Sequence, residues 1–143
     1  MRVLFLCTGN SARSQMAEGW MRHLSGGAVE AASAGTEPKG LHPLAVRVMA
    51  ERGVDISAHR SKHVSELRGQ AFDWVITVCD RARQSCPSFP GARTLHWDLL
   101  DPAEAQGDEQ AVLDAFRQVR DELARRVKAL LDALAAEEPR GLV

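Results

Sequence analysis

No stretch of this chain approaches the roughly 20 apolar residues of a membrane span. The apolar start Val3-Leu4-Phe5-Leu6 is cut off by Cys7-Thr8-Gly9-Asn10 before it is long enough for a secretory leader. Long blocks of one charge sign are missing too. The 18 basic and 19 acidic side chains are interspersed and leave a formal net charge of −1, so neither nucleic acid nor an anionic membrane is expected as a partner. Cysteine is scarce, three in 143 residues. A cytoplasmic location is the expectation from these absences. Structural disulfides are rare there, so the three thiols read as chemistry or core filling before they read as staples. With no internal repeat and no low-complexity segment, residues 1–143 are expected to form one domain, with a frayed tail over about 137–143.

What is present is an alternation of strand and helix signals. Val3–Leu6 reads as a strand and Gln15–Leu24 as a helix, and Ala28–Ala34 as a strand completes a right-handed β-α-β unit. Pro43–Arg52 carries Leu44, Val48 and Met49 on one helical face and is closed by Gly53. Ser61–Leu67 reads as a further short helix. Phe72–Cys79, continuous in apolar residues, suits a strand covered on both faces, and Arg93–Trp97 gives a short last strand. Between them Asp80–Gly91 is polar, holds Pro87 and Pro90, and reads as a loop. From Asp108, which suits an N-cap, to Leu134, apolar residues recur every three or four positions through Phe116, Leu123 and Val127, the stripe of an amphipathic helix. The expected fold class is α/β: a single domain with a central four-stranded parallel sheet flanked by helices on both faces.

The first strand runs into Cys7-Thr8-Gly9-Asn10-Ser11-Ala12-Arg13-Ser14. Gly9 and Asn10 tolerate the left-handed backbone that curls a loop into a nest. Consecutive N–H groups in a nest at a helix N-terminus bind tetrahedral oxyanions, which makes Thr8, Gly9, Asn10, Ser11, Ala12, Arg13 and Ser14 the substrate-binding set. Arg13 adds a planar fork of donors. The same field favours the thiolate of Cys7, a nucleophile, and Ser14 is placed to hydrogen-bond its sulfur. A C-x5-R spacing alone is frequent by chance, and a strand-end cysteine is often merely buried. The position between a strand and a helix carries the functional reading.

Cys79 ends the strongest interior strand and Cys86 follows seven residues later. Core filling is a credible fate for Cys79 alone but a poor one for Cys86, set among Arg83, Gln84, Ser85 and Pro87. The spacing is not that of a zinc ribbon and no histidine stands at a ligand offset, so no metal is expected. Three thiols at one sheet edge allow a relay in which the second attacks the first adduct and the third removes the second. Such a relay reduces the trapped central atom by two electrons. Arsenic(V) accepts that and phosphorus(V) resists it, which points to arsenate as the substrate. After the last strand, Asp101-Pro102 places a carboxyl at the same edge, able to protonate a leaving oxygen as general acid. Asp98 is the competing candidate, and Asp-Pro alone is a common turn opener.

Together these features resemble the thioredoxin-coupled arsenate reductases built on the low-molecular-weight protein tyrosine phosphatase fold. The resemblance runs from Arg2 to about Glu122 and is densest at Cys7 to Gly19, at Val75 to Cys79 with Cys86-Pro87, and at His96-Trp97 with Asp101-Pro102-Ala103. It implies Cys7 as nucleophile, Arg13 and the loop amides as oxyanion binders, Ser14 as thiolate partner and Asp101 as general acid. It also implies Cys79 and Cys86 as second and third thiols, left as a disulfide that thioredoxin reduces, with no bound cofactor. Because disulfide geometry brings Cα atoms to about 4.4–6.8 Å, the loop from Asp80 to Gly91 is expected to rearrange during turnover. Sulfate and phosphate are expected to compete for the loop, and the protein to be a monomer.

Two departures from the family pattern stand out. Ala12 replaces a further cysteine found in many relatives, which leaves only the three working thiols. Some relatives bind potassium through residues matching Asn10, Glu18, Ser33 and an acidic side chain near position 62, where this chain has Lys62; its ammonium is expected to replace the ion and neutralise Glu18. The rival activities are a phosphatase on the same loop, a reductase using a small external thiol, and a non-catalytic anion-binding domain. Phosphatase relatives commonly follow Asp-Pro with an aromatic residue, whereas Ala103 follows here and the chain has no tyrosine.

Overall fold

A computed structural model describes residues 1–78 and 89–137. The expectations for Cys79, Cys86, most of the Asp80–Gly91 loop and the tail beyond residue 137 lie outside these. The chain runs β1 (Arg2–Cys7), α1 (Arg13–Leu24), β2 (Glu30–Gly35), α2 (Pro43–Ala50), a 3-10 turn (Val64–Leu67), β3 (Trp74–Thr77), β4 (Arg93–His96), a second 3-10 turn (Pro102–Glu104) and α3 (Glu109–Glu137). All strand pairs are parallel, in the order β2-β1-β3-β4. Chain order reverses between β1 and β3, the switch point where open α/β sheets bind ligands beyond their strand C-termini. The loop after β1 opens there.

β1 is buried at every position after Arg2 and β3 throughout, so both faces of the sheet centre are covered, as their apolar runs require. β4 is an exposed edge. β2, at the other edge, is shielded where Gly35 bridges His63 and its N–H donates to Lys62 O at 2.9 Å. β2 begins at Glu30 rather than Ala28 because Gly26 and Gly27 both take positive φ (63° and 85°), which suits a turn. The expected helix over Ser61–Leu67 condenses to one 3-10 turn, capped by His63 Nδ1 accepting from Ser65 N.

Gly19 lets α1 approach its neighbours closely, since a Cβ there would stand 2.6 Å from Ile56 Cγ2. The apolar stripe of α3 buries Phe116, Leu123 and Val127. Asp108 caps α3 by accepting from Ala111 N at 2.9 Å. Arg120 of α3, almost fully buried, donates to Val48 O (2.9 Å) and Glu51 Oε1 (2.8 Å), tying α3 to the end of α2. Hydrogen bonds from Arg117 first, and from Arg120, hold the Glu51 carboxyl down at about 2. No helix among the described residues is long and apolar enough to cross a membrane.

Candidate active site

The Cys7–Ser14 loop has the form of an anion nest because the carbonyls from Thr8 to Ala12 are each taken up by a protein donor. Thr8 O accepts from Glu37 N (2.8 Å), Gly9 O from Lys39 N (2.9 Å), Ser11 O from His42 N (3.0 Å) and Ala12 O from Met16 N (2.9 Å). Asn10 O accepts from Gln15 Nε2 at 3.1 Å. Among the described residues, the N–H groups of Gly9, Ser11, Ala12, Arg13 and Ser14 donate to no protein acceptor. Ala12 at the N-cap of α1 offers no side-chain acceptor either, so the first-turn donors are left for a ligand. Asn10 takes the left-handed backbone (φ 45°) that closes the curl.

Cys7 ends β1, buried at the base of the loop. Its Sγ accepts from Asn10 N at 3.2 Å and lies 2.9 Å from Ser14 Oγ. Ser14 Oγ in turn accepts from Asn10 Nδ2 at 2.9 Å, which leaves its own proton available to the sulfur. Asn10 N and Ser14 Oγ therefore converge on one sulfur.

Arg13 Nη1 donates to Leu99 O (3.0 Å) and Val78 O (3.4 Å), and Nη2 stands 3.5 Å from Asp101 Oδ2. Asp101 is fixed by accepting from Ala103 N at 3.0 Å, as cap of the turn that Pro102 opens. Asp98 is exposed and does not line the cavity, so of the two aspartates Asp101 is the one at the site. A cavity of about 530 Å³ is bounded by Cys7, the loop, Arg13, Lys39, Leu99 to Asp101, Ala103 and Glu104. Val78, the last described residue before Cys79, thus touches the arginine of the site. Cys79 and Cys86 themselves lie outside the described residues.

Below the loop, buried Glu18 accepts from Ser33 Oγ (2.6 Å), pairs with Arg22 (2.9 Å) and lies 3.6 Å from His59 Nε2. Lys62, expected to neutralise Glu18, instead places Nζ 3.2 Å from Arg60 O. Arg22 takes the pairing because it stands one turn further along α1 and reaches the carboxylate directly. Burial pushes the Lys62 ammonium down, against the pull of Glu18. Asn10 Oδ1 is engaged by Lys62 N (2.9 Å) and Gln15 Nε2 (3.1 Å). The oxygens that would hold potassium are therefore occupied by donors, one of them a cation, and this set does not suit the ion. Gln15 joins this layer to the loop, since its Oε1 accepts from His59 Nδ1 at 3.0 Å.

Gly35 is a site residue that reading the sequence missed. It pairs with Cys7 across β1 and β2, and a Cβ there would stand 2.5 Å from Thr8 O and 2.9 Å from Asn10 N. Its signal is a glycine closing a small-residue strand beside the nucleophile's strand, legible only once the pairing is known. The 37–42 segment, which holds the loop carbonyls, was likewise invisible because backbone donors leave no mark in side-chain pattern.

The sequence pattern of the Low molecular weight phosphotyrosine protein phosphatase family matches residues 2–140. An arsenate reductase of Halalkalibacterium halodurans is 42% identical over 131 residues, 91% of this chain and 94% of that protein. A solved arsenate reductase in the phosphate binding state superposes with a TM-score of 0.80 at 33% identity, covering 92% of this chain and 97% of that one. The Corynebacterium glutamicum thioredoxin-dependent arsenate reductase gives a TM-score of 0.77 at 31% identity over 96% of this chain and 63% of that one. By pattern, relatives and fold alike, the chain belongs to the low molecular weight phosphotyrosine protein phosphatase family.

Proposed function

We propose that the protein is an arsenate reductase that works through Cys7, Cys79 and Cys86 and is recharged by thioredoxin, a role in arsenic detoxification. The observation that carries the oxyanion chemistry is the convergence of Cys7, the free loop amides, Arg13 and Asp101 on one cavity. Similarity to proteins called arsenate reductases, one of them thioredoxin-dependent, supports the redox outcome and the electron donor.

In the first step the Cys7 thiolate attacks arsenic(V), an As–S bond forms, and one oxygen departs as water with a proton from Asp101. Cys79 then attacks Cys7 Sγ. A Cys7–Cys79 disulfide forms, the As–S bond breaks, and its electron pair stays on arsenic, which leaves as arsenite. Cys86 attacks Cys79, frees the Cys7 thiolate and leaves a Cys79–Cys86 disulfide. The dithiol of thioredoxin reduces that disulfide. No bound cofactor enters any step.

A phosphatase is the second reading, favoured by the family's name and by the same three groups, Cys7, Arg13 and Asp101. The cavity lining weighs against it for aryl esters, since among the described residues it contains no aromatic ring. The test is to run arsenate-dependent NADPH oxidation, with thioredoxin and its reductase, beside hydrolysis of phosphotyrosine. Oxidation that outpaces hydrolysis supports the reductase; hydrolysis without oxidation makes the protein a phosphatase.

A further inference from the structure

We propose that Lys39 is a second cationic contact for the oxyanion, a binding side chain that helps the Cys7 cavity admit dianions. This rests on the oxyanion reading of that cavity.

The backbone of Lys39 is pinned to the nest, since its N–H donates to Gly9 O at 2.9 Å, between the Glu37-to-Thr8 and His42-to-Ser11 hydrogen bonds. Its stem lies over Gly9: a Cβ at Gly9 would stand 3.4 Å from Lys39 Cδ and 3.6 Å from Cγ. Gly9 thus leaves the stem free to run along the loop, and Lys39 lines the cavity together with Asp101 and Glu104. Among the described residues no carboxylate pairs with its ammonium. Arg13, by contrast, is partly engaged by Leu99 O and Asp101.

A bound dianion carries two charges, and Arg13 answers one. Two acidic residues, Asp101 and Glu104, line the same cavity, so a second cation there raises how readily a dianion is admitted. A flexible ammonium suits this role, since its stem lets the charge follow the bound oxyanion. Because the mouth is open to solvent, its contribution is screened by salt.

The test compares wild type, Lys39→Gln and Lys39→Arg by calorimetric titration of the reduced protein with inorganic phosphate, and by arsenate reduction kinetics, at low salt and at about 1 M salt. In Lys39→Gln the phosphate Kd and the arsenate KM are expected to rise together about 3- to 10-fold with kcat nearly unchanged. Lys39→Arg should stay near wild type, and the gap should close at high salt. Phosphate affinity in Lys39→Gln equal to wild type at low salt overturns the inference. Wild type that binds phosphate more tightly than Lys39→Gln but reduces no arsenate would sink the reductase reading while leaving Lys39 as an oxyanion contact. Wild type that binds no phosphate would overturn both.

Discussion

Arg13 Nη2 lies 3.5 Å from Asp101 Oδ2, so the proposed oxyanion-binding cation and the proposed general acid are paired with each other at the cavity. A dianion entering the loop competes with Asp101 for the guanidinium. Asp101→Asn removes both the competitor and the proton donor. Arsenate turnover should fall about 10²- to 10³-fold, while phosphate binds the variant at least as tightly as wild type. Equal turnover in the two proteins would dismiss Asp101 as the acid.

Gly35→Ala should damage the site without touching a charged group. The added methyl meets backbone atoms of Thr8, Asn10 and Cys7 at 2.5–2.9 Å, and those atoms belong to the nest itself. Phosphate affinity is expected to drop at least about tenfold, because moving the loop misaligns several donors at once. A crystal structure with an unmoved loop and intact affinity would contradict this.

Much of this arrangement was legible in the sequence, and what was not has a physical cause. The nest could be read because glycine, asparagine and arginine at fixed offsets each have a local reason to be there. The pairing of Cys7 with Gly35 and the contact of Arg22 with Glu18 were not legible, since one is set by strand register and the other by side-chain reach in the packed structure. Asp101 was separable from Asp98 only after folding placed one at the cavity and the other in solvent.

Potassium is expected to leave the protein nearly indifferent. Arg22 pairs with Glu18, and the oxygens of Asn10 and Glu18 already accept from protein donors. Replacing sodium by potassium should shift the melting temperature by less than about 1 °C, well under the effect of an ion that binds only the folded state. Marked stabilisation by potassium would show that the ion displaces these donors.

Stability should decline as the solution becomes acidic. Burial holds His59 below its ordinary value of 6.5, against the pull of Glu18, and His42 is likewise lowered by burial, against Asp101. The unfolded chain therefore takes up these protons at higher pH than the folded one. Their contribution is whole above about pH 6.5 and is lost as pH falls below it, at a rate of at most about 1.4 kcal/mol per pH unit for each group. Melting curves of His59→Gln between pH 7.5 and about 5.5 should be flatter than those of wild type; an unchanged slope would remove His59 from this account.

The relay is tested most directly by arsenate-dependent NADPH oxidation in the presence of thioredoxin and thioredoxin reductase, comparing wild type with Cys86→Ser. The three-thiol account predicts sustained oxidation in wild type and near-complete loss in Cys86→Ser, with at most one arsenite released per protein chain. Sustained turnover in Cys86→Ser would contradict it and would assign the final reduction to an external thiol.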